Sequence, residues 1–109
     1  MNVRMVSVAA AVAMLLLANA PARAQGDAEA GSLKNASCQG CHGIEGFRVA
    51  YPTVYSVPML GGQSDAYIAA ALKAYRSGDR NNARMKAIAS SLSDQDIADL
   101  AAYYSATAK

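Results

Sequence analysis

The run Cys38-Gln39-Gly40-Cys41-His42 constrains this 109-residue chain more than any other feature. Two cysteines separated by two residues, with a histidine directly after the second, form the pattern of covalent c-type haem attachment. Each part has a chemical task. The thiols add across the vinyl groups of the macrocycle as thioethers, and the two-residue gap lets one turn of backbone present both sulfurs along one edge of the ring. The adjacent imidazole is then held beneath the iron as the proximal ligand. The chain has two cysteines and one histidine, and all three lie in this motif.

Three other uses of the same residues fit less well. A zinc site needs about four Cys/His-type protein ligands, or three if catalytic, and the chain has no second pair to close one. A thioredoxin-like redox pair belongs on a βαβ background, which the hydrophobic pattern does not provide. A disulfide would close only a tiny loop and leave His42 without a role.

The N-terminus reads as a targeting segment. Arg4 supplies a short positive region, and the uncharged apolar run from Val6 to Ala20 is followed by small-residue cleavage patterns at Ala18-Asn19-Ala20 and Ala22-Arg23-Ala24. Pro21 hinders the earlier cut, so cleavage is predicted after Ala24. The run is shorter than the ~20 residues of a spanning helix, which argues against an uncleaved anchor. Residues 1–24 are therefore read as a signal peptide and residues 25–109 as one small domain, exported to the periplasm. Removing Arg4 and Arg23 from the ten Lys and Arg leaves eight, against eight Asp and Glu. That balance, without a polybasic tract, argues against nucleic-acid binding.

The pattern predicts an all-α fold. A helix is expected from Asp27 to about Gln39, running into the cysteine motif, with Leu33 and Ala36 facing other helices. Phe47 to Gln63, with Pro52, Pro58 and Gly61-Gly62, reads as a long loop packed on the haem face. Val49 to Val57 alternates somewhat like a strand, but its prolines argue against one. Ser64 or Gln63 caps a helix from Asp65 to Ser77 that Gly78 ends, with Ile68, Ala71, Leu72 and Tyr75 as its apolar stripe. Met85 to Ser90 is a short helix. Ser93 and Asp96 open the last helix in a capping box with Asp in place of Glu, and Ile97, Leu100, Ala101 and Tyr104 form its buried stripe.

A low-spin electron carrier needs a second axial ligand, and a methionine thioether is the soft partner that raises the reduction potential. Met59 and Met85 are the candidates after cleavage. A far-face ligand must come from chain that has travelled around the ring edge, and Met85 lies 43 residues beyond His42. Met59 follows Pro58, in a loop expected to cover the His42 side.

The haem motif, Pro58-Met59-Leu60-Gly61-Gly62-Gln63, Tyr67, Leu72, Tyr75-Arg76-Ser77-Gly78, Met85 and the run from Leu92 to Tyr104 together resemble the class I cytochromes c of bacteria. The likeness is greatest to the small mono-haem c-553 kind and to single domains of the di-haem c-4 kind. It covers nearly all of residues 25–109. The resemblance implies about four helices around one covalently bound haem c, with the N- and C-terminal helices crossing and one haem edge exposed. It places the thioethers on Cys38 and Cys41, and the iron ligands on His42 and Met85. The loop proline near the carbonyl that supports the proximal histidine falls on Pro52 or Pro58.

The expected function is that of a periplasmic shuttle passing single electrons between redox proteins, with no substrate bond broken and hence no enzyme activity of its own. Partners such as a respiratory complex, a flavin dehydrogenase or a terminal oxidase would dock transiently at the haem edge. Near-balanced charge predicts weaker steering than in strongly basic cytochromes. The competing reading is a haem with an open distal site for sensing or catalysis. Arg84 is then the nearest polar candidate, although a solvated surface arginine is the commoner case. A third is a relay subunit of a larger dehydrogenase. So small a domain has little core without the ring. The Cys38→Ala/Cys41→Ala chain, freed of haem, should lose most of its far-UV helical signal and its cooperative thermal transition; near-native helix content with a cooperative melt would contradict this.

Overall fold

A computed structural model describes residues 25–108, and the signal peptide expected over residues 1–24 lies outside the described residues. The elements in order are α1 (Ala28–Lys34), α2 (Ala36–His42), β1 (Arg48–Val49), β2 (Tyr55–Ser56), α3 (Asp65–Ser77), α4 (Ala83–Ser90) and α5 (Asp94–Ala106). The fold is mostly helical, as expected, with five helices among the described residues and one small sheet.

Short-range hydrogen bonds define most helix ends. The Asp27 carboxylate accepts from the amides of Glu29 and Ala30 at 2.8 and 3.2 Å, opening α1. Ser64 accepts from Tyr67 N at the start of α3, and Asn82 from Met85 N at the start of α4. At α5 the box is complete: Asp96 N donates to Ser93 Oγ, and Ser93 N donates to the Asp96 carboxylate, both at 3.0 Å. Gly78 closes α3 in the left-handed region at φ +93°, where a side chain would be strained.

Three expectations are corrected. The first helix is two, because the chain bends at Asn35 (φ −84°, ψ 2°), whose carbonyl accepts from the amides of both Cys38 and Gln39 at 2.9 Å and starts α2 afresh. Leu33 and Ala36 face solvent, Leu33 being 83% exposed. The inner face of α1 is used instead by Gly31, where a Cβ would run into the Asp99 carbonyl of α5, so the two backbones touch with no space for a leucine. The segment after Phe47 contains an antiparallel pair, Arg48 with Ser56 and Val49 with Tyr55. The strands are two residues each and Pro52 lies in the connection between them, where it removes no ladder bond.

The core is built where α3 meets α5. Ile68 and Leu72 pack with Ile97, Leu100, Ala101 and Tyr104, and Ile97 and Leu100 are completely enclosed. Each such large side chain stabilises the fold by about 1.5–3 kcal/mol. Cys38, Leu60, Ala69, Met85, Leu92 and Tyr103 border this cluster half-buried.

A polar lock fastens α1 across α5. Lys34 Nζ lies 2.8 Å from Asp96 and 2.6 Å from Asp99. The buried Asp99 carboxylate also accepts from Asp27 N and from Gln95 Nε2, each at 2.9 Å. These bonds, led by the one from Lys34, pull the carboxyls of Asp96 and Asp99 down to about 2. Carboxylates of the unfolded chain take up protons near pH 4, above the folded values. The stabilisation is therefore complete above about pH 4 and is lost as pH falls toward 2. Thermal melts of the holoprotein should show Tm falling through this window. Asp99→Asn should lower Tm by several degrees at pH 7 and reduce the acid-linked fall.

Candidate haem site

Helix α2 carries the motif. Cys38 and Cys41 are three residues apart on a helix, hence on one face, and both thiols are free and half-buried. His42 is the last residue of α2, and its ring Nδ1 lies 2.6 Å from the Pro58 carbonyl oxygen. A carbonyl only accepts, so Nδ1 carries a proton and Nε2 is the ring nitrogen left for a metal, the arrangement of a metal-ligating histidine. Of the two prolines allowed by the sequence, Pro58 is the one whose carbonyl meets the imidazole. Pro52 is exposed in the turn between the strands.

The segment that delivers Pro58 is fastened along its length. Val57 N donates to Phe47 O at 2.9 Å just beyond the strand pair, and Gly62 N donates to Tyr104 O of α5 at 2.9 Å. Arg84 Nη2 donates to Tyr51 O at 3.3 Å, tying the turn to α4. Arg84 is thus engaged with backbone at the surface.

The two methionines differ in placement. Met85, in the first turn of α4, is half-buried against the same apolar cluster that Cys38 borders, whereas Met59 is 55% exposed beside Pro58. Two buried polar groups nearby have no partner: the Tyr104 hydroxyl and Asn35 Nδ2. Burial, aided by the neighbouring Cys38, pushes the Tyr104 phenol well above its usual range, and burial likewise raises the Cys38 thiol.

These residues fit a covalently attached haem. A sulfur pair lies on one helical turn, an imidazole held through Nδ1 leaves its other nitrogen free of protein partners, and a thioether side chain lies against the wall that the first cysteine borders. The buried core is small, and Tyr51, Val54 and Met59 stay exposed in the segment between β1 and α3, as suits a chain completed by a large apolar group. Sequence reasoning missed the unpaired Tyr104 hydroxyl and the buried Asn35. An apolar-stripe argument counts Tyr104 as core and is silent about its oxygen.

The family model for cytochrome c matches residues 27–107, and this chain belongs to the cytochrome c family. Proteins of this family bind haem c covalently, with its iron, and transfer electrons. The chain is 49% identical over 83 residues to cytochrome c-554(548) of Halomonas halodenitrificans, covering 73% of this chain and 95% of that protein. It is 40% identical over 83 residues to cytochrome c4 of Pseudomonas aeruginosa, covering 76% of this chain and 39% of that protein. The structure of reduced recombinant cytochrome c4 from Pseudomonas stutzeri superposes with a TM-score of 0.58 at 29% identity, over 77% of this chain and 51% of that one. The chain thus spans about two-fifths of the first cytochrome c4 and half of the second.

Proposed function

We propose that this chain is a periplasmic mono-haem electron shuttle, anchored to haem through Cys38 and Cys41 and ligating iron through His42 and Met85. The observation that carries the reading is the 2.6 Å bond between His42 Nδ1 and the Pro58 carbonyl, at the end of the helix that bears both thiols. When bound, the haem supplies a one-electron Fe(II)/Fe(III) couple. The Pro58 carbonyl fixes the tautomer and orientation of His42 and makes Nε2 a better donor. Ile68, Leu72, Leu100 and the ring of Tyr104 exclude water from the wall that Cys38 and Met85 share. Asn82 holds the turn that presents Met85 by accepting from its amide at 3.0 Å. With Met85 turned to that wall and Arg84 bonded to Tyr51 O, the arrangement favours a filled distal position over an open one.

The leader read over residues 1–24, with cleavage after Ala24, supports export. No helix among the described residues is long and apolar enough to cross a membrane. The partners inferred are redox proteins: a respiratory complex, a flavin dehydrogenase or a terminal oxidase. Charge placement adds a detail that the balanced total hides. Lys34 and Arg76 are engaged by Asp96, Asp99 and Asp94. Lys73, Arg80, Arg84 and Lys86 have no ion pair among the described residues, and Asp79 is the one acid between residues 73 and 86. Arg84 and Lys86 flank Met85. A positive field around the distal ligand suits an acidic docking face and gives stronger local steering than the net charge suggests.

Met85→Ala should convert the low-spin spectrum of the holoprotein to high spin and remove the weak red charge-transfer band of the oxidised form, while Met59→Ala should leave both intact. The opposite outcome would reassign the distal ligand. Lys86→Glu should slow oxidation by ferricyanide severalfold at low ionic strength and speed oxidation by a cationic cobalt complex; equal effects on both reagents would remove the steering role.

A further inference from the structure

Tyr104 carries a polar atom for which the apolar cluster offers no use. The residue is 7% exposed, its hydroxyl oxygen is sealed from solvent, and that oxygen has no hydrogen-bond partner. Unmatched buried hydroxyls are costly, and one that persists calls for an explanation. The ring itself is well placed: it packs in the cluster of Ile68, Leu72, Ile97 and Leu100 and meets Tyr103 edge-on, with centroids 4.9 Å apart at 70°. The half-buried Cys38 side chain packs against this same cluster, which brings its thiol into the neighbourhood of the hydroxyl.

Haem attachment changes what that neighbour can do. A free thiol can donate weakly or accept, but a thioether has lost its S–H and only accepts. Tyr104 is then the one donor of the pair. Burial keeps the phenol protonated far above neutral pH, so the donor persists across the working range.

We propose that Tyr104 is a positioning residue for the haem, its hydroxyl donating a hydrogen bond to the Cys38 sulfur once that sulfur carries the macrocycle as a thioether. The proposal rests on the reading of Cys38 as an anchor. The positive end of the O–H dipole then points at a sulfur bonded to the ring edge and draws electron density from it. That favours the form holding the extra electron, so Tyr104 raises the reduction potential.

Tyr104→Phe keeps the ring and removes only the O–H. In the holoprotein, spectroelectrochemistry should show the ratio of reduced to oxidised iron at a fixed applied potential falling about threefold, the scale of one modest hydrogen bond. For a one-electron couple this is a midpoint about 30 mV lower. Tyr103→Phe, with its ring at the border of the same cluster, should leave the midpoint unchanged. A Tyr104→Phe protein with wild-type low-spin bands and an unmoved midpoint would overturn the proposal. Should that variant fail to accumulate, redox-difference infrared spectra of the wild type and of Tyr103→Phe decide the matter. Both should show a deuterium-sensitive tyrosine C–O–H band that shifts with iron oxidation state, and absence of that band also overturns the proposal. Acid-acetone treatment of the wild type tests the underlying reading separately. Haem that extracts defeats the anchor assignment itself, while retained haem with an unmoved midpoint defeats only the role of Tyr104.

Discussion

The contact of α1 with α5 is the constraint on which the rest of the structure depends. Gly31 brings the α1 backbone against the Asp99 carbonyl, and Lys34 holds the Asp99 carboxylate from the same helix. The glycine sets the distance and the ion pair sets the register. A larger residue at position 31 would push the helices apart and lengthen the bond from Lys34 to a carboxylate that has little water to replace it. Because α2 follows α1 after a bend of one residue, this crossing also determines where both cysteines and the histidine lie relative to the apolar cluster.

The far end of the site is held by a different kind of restraint. Residues 43–64 contain only four strand residues, and a segment of this length without regular structure has few backbone bonds of its own. Besides the strand pair and the Val57–Phe47 bond, it is tied to the surrounding elements: Pro58 to the ring of His42, Gly62 to Tyr104, and Tyr51 to Arg84. The loop therefore links α2, α5 and α4, the elements that carry the two cysteines, the C-terminal half of the core and Met85. A disturbance at any of these three attachments reaches the imidazole through Pro58.

Core and site share the same side chains, which is economical in a domain this small. Tyr104 is both a member of the buried cluster and the neighbour of Cys38, and Met85 borders the cluster while remaining the inward-facing thioether. On α5, Asp99 serves the crossing, while Asp96 both meets Lys34 and closes the capping box with Ser93. Four of the cations without an ion pair among the described residues, Lys73, Arg80, Arg84 and Lys86, lie between the middle of α3 and the start of α4.

By itself the sequence determined the chemistry and the local punctuation. The haem motif is legible because thioether attachment and proximal ligation require particular atoms at fixed spacing within five residues. The caps at Ser64 and Ser93, the stop at Gly78 and the stripe of α5 are legible because each depends on residues within a turn or two. Tertiary structure decided what depends on distant partners. Leu33 faces outward because Gly31 meets Asp99. Pro58 rather than Pro52 reaches the imidazole, because the path of a 16-residue excursion is set by the attachments of the loop. The strand pair is possible despite the prolines because Pro52 falls in the connection and not in the ladder. The amide of Asp27 finds a carboxylate 72 residues away, and the Tyr104 hydroxyl ends beside Cys38, only once helices from opposite ends of the chain have packed. Capping and covalent spacing act along the chain, whereas helix rotation and loop path are set by packing across it.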